Sequence, residues 1–226
     1  MWKDRTEILI GKNGAKALEK ARVAVIGIGG VGGYVCHLLA RAGVGQLSLV
    51  DFDVVDETNI NRQVVADINT IGRIKVDVMK EQIEQINPKC NVKTYNERFC
   101  GEFVHKFFQT RYDYVVDAID SVQDKIELIC YCKEHDIKIV SAMGAGNRIG
   151  VPNFKIVDIY KTANDGLAKV LRKKLKERNV KHLAVAIAEE LPIKTDKKTS
   201  AVGSISYYPA ACGCTLSAYV INEILK

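Results

Sequence analysis

A glycine-rich segment near the start of the chain has the composition of an anion-binding turn. It reads Gly27-Ile28-Gly29-Gly30-Val31-Gly32-Gly33 and follows a short apolar run rich in β-branched residues. Glycines let the chain turn tightly after a strand and let backbone N–H groups at a helix N-terminus approach phosphate oxygens. Asp51 lies 19 residues beyond Gly32, where a carboxylate can accept hydrogen bonds from ribose hydroxyls. We therefore expect a nucleotide site formed by Gly27, Gly29, Gly30, Gly32 and Asp51, which by themselves suit NAD as well as ATP.

Charged side chains farther along the chain favour ATP over NAD as the ligand. A hydride-transfer enzyme has no need to gather cations, because its pyrophosphate does not react. Breaking the α–β bond of ATP builds negative charge that cations must stabilise. Arg62 can hold two oxygens in fork geometry, Lys75 supplies a point charge, and Asp120 is well placed to hold Mg²⁺. The predicted catalytic residues are Arg62, Lys75 and Asp120, and the predicted ATP-binding set also includes Asp53, Asn59, Gln63 and Ser121.

These residues need a scaffold that brings distant parts of the chain together, and the hydrophobic pattern predicts one. Short β-branched runs alternate with segments of helical period as far as residue 141. This alternation predicts an α/β fold with a Rossmann-like, doubly wound, mainly parallel sheet, whose ligand binds at the carboxyl ends of the strands. The expected strands are 22–27, 46–50, 91–95, 112–118 and 137–141, and the expected helices are 34–42, 71–86 and 122–135.

After residue 150 the alternation gives way to an additional C-terminal strand and helix region. Thr162 and Asp165, three residues apart, resemble a capping box ahead of a helix with one apolar face. We expect a single domain over residues 1–226. The expected segments of this region are a strand at 153–159, a basic helix at 165–178, a mobile loop at 179–202 and a packed helix at 210–225.

The composition suits one soluble globular domain inside the cell. Of 226 residues, 47% are hydrophobic and 27% are charged. No run approaches the roughly 18 apolar residues that a membrane span needs, so we expect no membrane partner. Charged residues fill the start of the chain, which argues against a secretory signal. Seven cysteines, an odd number, fit a reducing compartment, and we expect a cytoplasmic protein.

The positive charge is concentrated in one segment. Between Lys161 and Lys198 the chain has nine Lys and two Arg against five acidic residues, which accounts for its whole net charge of +6. A neutral body with one basic segment offers a binding surface for a polyanion. An ordinary solvated helix face is the alternative.

The motifs GIGGVGG, DFDVVDETNINRQ and DAIDS resemble the superfamily of ubiquitin-activating enzymes and their bacterial relatives of the ThiF type, which adenylate sulfur-carrier proteins. The resemblance covers about residues 5–160. It implies a homodimer, in which Arg5 reaches the partner's site. For the residues above it implies ribose binding by Asp51, triphosphate contacts by Asn59, Arg62 and Lys75, and a metal role for Asp120.

Further features favour one branch of this superfamily. The C-x-C spacing of Cys130-Tyr131-Cys132 and Cys212-Gly213-Cys214 is poor for the zinc site of the sulfur-carrier activators. The chain also has no room for the thioester domain of ubiquitin-type activators. The stretches DAIDSVQDK, GAG, DIYKT and GSISYYP resemble the tRNA threonylcarbamoyladenosine dehydratases over nearly the whole chain.

That family adenylates the threonine carboxylate of a modified adenosine beside the anticodon. Attack by the neighbouring carbamoyl group then closes a ring and releases AMP. The resemblance thus implies a tRNA substrate with ATP and Mg²⁺, and leaves open a monovalent cation, Na⁺ or K⁺. It also leaves open a sulfur-relay protein partner, although this chain has no cysteine between Cys132 and Cys212 that could carry a persulfide. A basic helix beside the site would bind tRNA phosphates through Lys169, Arg172, Lys173 and Lys176.

Three other functions remain open from the sequence. The same chemistry could act on the C-terminal carboxylate of a small sulfur-carrier or ubiquitin-like protein. A scaffold that binds a nucleotide without catalysis, or a nicotinamide-dependent oxidoreductase, would have the same glycine turn.

Overall fold

A seven-stranded sheet forms the centre of the molecule in a computed structural model that describes residues 2–194 and 202–226. The strand order is β3-β2-β1-β4-β5-β7-β6, and every neighbouring pair is parallel except β6 with β7. The strands are β1 (Arg22–Ile26), β2 (Gln46–Val50), β3 (Asn91–Tyr95), β4 (Tyr114–Asp117), β5 (Ile139–Ala142), β6 (Phe154–Asp158) and β7 (Ala184–Ala188). The helices are α1 (Asp4–Lys20), α2 (Gly32–Ala42), α3 (Lys75–Ile86), α4 (Glu102–Phe107), α5 (Val122–Glu134), α6 (Gly166–Glu177) and α7 (Tyr207–Leu225).

Both faces of the sheet are covered by helices, which is why its central strands consist almost wholly of apolar residues. Along β1, Val23 and Val25 belong to the core beneath α2, α3 and α7. The alternate residues Ala24 and Ile26 belong to the second core, beneath α4, α5 and α6. The two cores are separated by the sheet itself, so the fold has three layers.

The predicted fold class is confirmed, because the sheet is mainly parallel and doubly wound. The strands predicted at 46–50 and 91–95 match β2 and β3, and most other predicted elements differ from the observed ones by one or two residues at either end. The predicted helix at 71–86 begins instead at Lys75. Gly72 adopts φ +81, a backbone conformation that ends helical winding, so the residues before Lys75 form a turn.

The predicted loop at 179–202 is wrong in part. Residues Ala184–Ala188 form β7, a strand inserted between β5 and β6 with four of its five residues buried. The uninterrupted apolar run from Leu183 to Ala188 is typical of a buried parallel strand, but charged residues on both sides obscured it. Residues 195–201 of the predicted loop lie outside the described residues.

The predicted capping box at the start of the basic helix is also wrong. Asp165 is itself the N-cap of α6, and its carboxylate accepts a hydrogen bond from the Ala168 N–H at 2.8 Å. Thr162 does not cap α6, and its hydroxyl donates instead to the Ile159 carbonyl at 2.6 Å. A single Asp N-cap therefore takes the place of the predicted Thr cap.

Two helices were not predicted at all. α1 contains Gly11, whose non-helical backbone kinks the helix, and α4 has only six residues.

The described residues include no helix that is long and apolar enough to cross a membrane.

Candidate nucleotide site

A cleft of about 690 Å³ lies at the carboxyl ends of β1, β2, β4 and β5, where the fold class places a ligand. A larger cleft of about 920 Å³ lies near the opposite ends of the strands and contains none of the predicted residues. We assign the site to the first cleft because the candidate side chains converge there. It is lined by all of the predicted ATP-binding residues except Gly32 and Ser121, namely Gly27, Gly29, Gly30, Asp51, Asp53, Asn59, Arg62, Gln63, Lys75 and Asp120.

The glycines of the turn have different physical reasons to lack a side chain. Gly27 has φ +90, and a Cβ there would lie 2.6 Å from the Ala118 carbonyl oxygen. A Cβ on Gly32 would lie 1.8 Å from the Gly27 oxygen. The fold itself excludes side chains at both positions. At Gly29 the nearest atom to an added Cβ is Gln63 Nε2 at 3.8 Å, so that glycine leaves free space in the cleft.

The helix after this turn begins with its backbone donors free of side-chain caps. Val31 is the N-cap of α2 and makes no side-chain capping bond, and the first turn holds no acidic residue. The partial positive charge of such a helix end attracts anions. The turn and α2 together can therefore bind phosphate oxygens at the end of β1.

Asp51, at the end of β2, is held by the backbone of two neighbouring segments. Its carboxylate accepts hydrogen bonds from the Ile28 N–H at 2.6 Å and from the Asp53 N–H at 2.9 Å. Burial raises the pKa of Asp51 above its ordinary value, and the two backbone donors oppose that rise. The bond to Ile28 fixes the sugar-binding candidate directly against the glycine turn.

Lys75 is a buried cation at the start of α3. Its ammonium group lies 2.8 Å from a carboxylate oxygen of Asp53, and its side chain is 5% exposed against 50% for Asp53. The Lys75 N–H also donates to the Asp53 carbonyl at 3.1 Å. The structure thus joins Asp53 to Lys75, and both face the cleft.

Three predicted residues come from a short 3-10 helix, Glu57–Asn59, and the turn after it. Asn59 is buried and accepts a hydrogen bond from the Asp56 N–H at 3.2 Å, as part of a capping box. The Arg62 guanidinium donates to the Thr58 carbonyl at 2.9 Å and to Asn61 at 2.8 Å. Gln63 is buried, and within the described residues its side-chain oxygen has no hydrogen-bond partner.

Asp120 is an exposed carboxylate on a loop with a buried anchor. Within the loop, Asp117 accepts a hydrogen bond from the Ile119 N–H at 3.1 Å. The other Asp117 oxygen pairs with the Lys125 ammonium at 2.8 Å, and both side chains are fully buried. This pair holds the loop that presents Asp120 to the cleft. Ser121 is the N-cap of α5 and does not line the cleft.

The other wall of the cleft comes from the second half of the chain, which the chemical reasoning missed. It includes the loop after β5, the first turn of α6 and the segment before α7. Asn61 donates to the Ser204 carbonyl at 3.0 Å, and the Gly203 N–H donates to Asn147 at 2.7 Å, which tether this segment on two sides. Only the resemblance of GAG and GSISYYP pointed to this wall, since none of its residues is charged. Its residues are Ala142, Met143, Gly144, Ala145, Gly146, Leu167, Val202, Ser204 and Pro209.

The predicted tRNA contacts lie on α6, which begins at this wall. Lys169, Lys173 and Lys176 are exposed, as is their neighbour Lys174. Arg172 is partly buried, and its guanidinium donates to the Thr162 carbonyl at 3.0 Å and to the Thr162 hydroxyl. The lysines are available to a ligand, whereas Arg172 already has a partner within the protein.

A family model described as the ThiF family matches residues 4–226. The chain belongs to the ThiF family. Among its relatives in that family is the tRNA threonylcarbamoyladenosine dehydratase of Bacillus subtilis, which is 39% identical over 98% of this chain and 94% of that protein. The Escherichia coli tRNA threonylcarbamoyladenosine dehydratase is 40% identical over 77% of this chain and 66% of that protein.

Solved structures agree with the fold. A crystal structure of the Escherichia coli tRNA N6-threonylcarbamoyladenosine dehydratase in complex with ATP has a TM-score of 0.92 and 33% identity to this chain, and covers 99% of this chain and 95% of that one. The same TM-score relates this chain to the complex of that protein with AMP. Escherichia coli MccB, with a TM-score of 0.70 and 19% identity, shares the fold alone.

Proposed function

We propose that residues 1–226 form one adenylating domain that acts as an ATP-dependent tRNA threonylcarbamoyladenosine dehydratase. The observation that carries this proposal is the convergence of Arg62, Lys75 and Asp120 on a cleft that also holds a glycine turn and Asp51. The similarity to dehydratases over almost the full length of the chain supports the substrate class.

The reaction has two displacements. An oxygen of the threonine carboxylate attacks the α-phosphorus of ATP, the bond to the bridging oxygen breaks, and pyrophosphate leaves. The carbamoyl group then attacks the acyl carbon of the adenylate and loses a proton, and AMP leaves as the ring closes. The net result is the removal of water from the modified nucleoside, with its oxygen carried away on AMP.

The chain's own groups stabilise the charge that moves in these steps. The N-terminus of α2, which has no side-chain cap, and the turn at Gly29 bind phosphate oxygens, while Asp51 fixes the ribose. Lys75, held at 2.8 Å from Asp53, contributes a fixed positive charge. The bonds that Arg62 makes to Thr58 and Asn61 are local, so its guanidinium can turn toward the leaving pyrophosphate.

Asp120 fits a magnesium site of the kind that substrate phosphates complete. Mg²⁺ is usually held by one or two carboxylates together with phosphate oxygens and water. Across residues 2–194 and 202–226 no cluster of three or more His, Cys, Asp or Glu side chains could hold a metal alone. When bound, the ion would neutralise charge on the phosphates beside Asp120.

We further propose a homodimer that works in the cytoplasm. Ile8 and Leu9 on α1 are 85% and 84% exposed, and large exposed apolar side chains of this kind mark interaction surfaces. Arg5 is exposed on the same helix, where it can reach a partner's cleft. All seven cysteines are free thiols, which suits a reducing compartment.

The decisive experiment is ATP–pyrophosphate exchange with and without purified tRNA that carries threonylcarbamoyladenosine. We expect exchange only when the modified tRNA is present, together with the cyclic nucleoside by mass spectrometry. The matched control is the same tRNA without the threonylcarbamoyl group. Exchange that requires a protein tail instead of tRNA would favour the adenylyltransferase alternative and contradict the proposal.

A further inference from the structure

A buried ion pair joins the wall of the cleft to the basic helix. The guanidinium of Arg148 lies 3.3 Å from a carboxylate oxygen of Asp165, and each side chain is only 2% exposed. Arg148 belongs to the loop after β5, and Asp165 is the N-cap of α6. The pair therefore spans two parts of the chain that have separate roles in the proposed reaction.

The two oxygens of Asp165 have different partners. One accepts the Ala168 N–H at 2.8 Å and so caps α6. The other accepts the Gly144 N–H at 3.0 Å as well as the bond from Arg148. One carboxylate thus fixes both the first turn of the basic helix and a backbone group of the cleft wall.

The ion pair and the hydrogen bonds around it form a joint, which Arg148 completes with its remaining donors. Its Nη1 donates to the Gly144 carbonyl, so Gly144 is held through both its N–H and its C=O. Its Nε donates to the Glu190 carbonyl at 2.9 Å, beyond the end of β7. The Glu190 carboxylate in turn accepts the Tyr208 hydroxyl at 2.8 Å, which connects the joint to α7.

The order of the strands gives this joint a position relative to the reacting groups. Asp51 marks the sugar end of the cleft at β2, the glycine turn follows at β1, and the Asp120 loop follows at β4. The wall beyond the end of β5 contains Gly144 and, from α6, Leu167. This part of the cleft is then left for the acceptor carboxylate.

We infer that Arg148 and Asp165 are positioning residues, which hold the acceptor side of the cleft in fixed register with α6. A tRNA bound along α6 then presents its modified adenosine at the correct distance from the α-phosphorus. Both residues are buried with their polar atoms engaged, so they act through Gly144 and α6 and not on the substrate itself. This inference rests on the function proposed above.

The variant Asp165→Asn separates the two tasks of the carboxylate. Asn is as good an N-cap as Asp, so α6 keeps its bond from the Ala168 N–H. Its amide nitrogen cannot accept the Gly144 N–H or pair with Arg148, whose guanidinium keeps its carbonyl partners. We expect kcat with modified tRNA to fall about 10-fold to 100-fold, while the KM for ATP changes less than about 3-fold, because small misplacements of bound groups slow reactions strongly.

Hydrogen exchange supplies a readout that does not depend on turnover. In Asp165→Asn, the Gly144 amide should exchange at least about 10-fold faster, while the α6 amides keep their wild-type protection. Arg148→Lys, which keeps the charge but loses the fork, should lower kcat in the same direction. The matched control is Glu189→Gln, which removes an exposed pair with Lys155 nearby and should leave both readouts unchanged.

Each outcome bears on the inference. An unchanged kcat despite faster exchange at Gly144 would overturn it, as would a joint rise in both KM values with loss of α6 protection, which indicates a purely structural role. If the wild-type protein shows no tRNA-dependent use of ATP, the proposed function fails instead. The hydrogen-exchange data then still report whether Asp165 holds Gly144.

Discussion

At the residue scale, Arg62 and Asp120 differ from Lys75 in how they are held. Lys75 is buried and paired, whereas Arg62 bonds to local acceptors and Asp120 is exposed at the cleft. Removal of the Arg62 or Asp120 side chain should therefore disturb the fold little but slow the reaction strongly. We expect Arg62→Ala and Asp120→Ala each to lower turnover about 10²-fold to 10³-fold, as loss of one preorganised charge partner does. Single-turnover AMP formation measures this, and near-normal rates in both variants would remove these residues from the mechanism.

The glycines of the turn allow a second test at this scale. Gly32→Ala places a methyl group 1.8 Å from the Gly27 oxygen and should cost about 3 kcal/mol of unfolding free energy. In Gly29→Ala the added methyl group lies 3.8 Å from the nearest described atom beyond its chain neighbours, so the unfolding free energy should change by less than about 0.5 kcal/mol. Its methyl group projects into the phosphate space, so ATP should bind at least about 10-fold more weakly. Urea unfolding and calorimetric titration check the pair, and unaltered ATP affinity in Gly29→Ala would place the phosphates elsewhere.

The residues that the sequence could and could not predict divide along chemical lines. The glycine turn, Asp51, Arg62 and Lys75 could be predicted because glycine and charged side chains at these positions have a direct use in binding phosphates and ribose. The joint between Arg148 and Asp165 did not, because nothing in the sequence says that two charges 17 positions apart meet inside the protein. Side-chain pairing across elements depends on tertiary structure, which a local pattern does not contain.

At the scale of elements, α6 is the candidate tRNA contact, and its lysines can be tested as a group. Neutralising Lys173, Lys174 and Lys176 to Gln should weaken tRNA binding and reduce the slope of log K against log salt by about 2 to 3, because fewer counterions are released. ATP affinity should not change. The matched control neutralises three exposed lysines near the opposite edge of the sheet, Lys89, Lys93 and Lys106. An unchanged slope in the α6 variant, or an equal loss in the control, would count against α6.

Elements differ in how well they could be predicted for a physical reason. Turns that contain glycine, aspartate or proline lie beside β1, β2 and β3. These turns mark where each strand begins or ends, so the strands could be predicted from the sequence. β7 is rich in alanine, has acidic residues directly after it and is stabilised by burial between β5 and β6. Local propensity is weak in such a strand, and its neighbours decide its conformation.

At the scale of the whole molecule, the proposed homodimer makes a prediction about mixtures. If Arg5 acts in the partner's cleft, Arg5→Ala and Arg62→Ala will each be inactive as homodimers. A mixed dimer then contains one intact site, built from the wild-type Arg62 of one subunit and the wild-type Arg5 of the other. Random reassembly of equal amounts should restore about a quarter of wild-type activity.

Light scattering checks the stoichiometry on which that mixture depends. Wild-type protein should have the mass of two chains, and Ile8→Glu with Leu9→Glu should shift it toward one chain, because charges would enter an apolar interface. A monomeric wild type, or activity in mixtures no greater than that of either variant alone, would refute shared sites.

The position of α6 in the chain has a consequence for how this architecture can change its target. The helix lies in the connection between β6 and β7, the two outermost strands on one side of the sheet, whereas the ATP-binding residues come from connections after β1, β2 and β4. Insertions or replacements in that connection would alter which macromolecule docks and leave the adenylating machinery intact. Grafting a new recognition segment there, downstream of Asp165, is thus a route by which evolution or an engineer could redirect carboxylate activation to another acceptor.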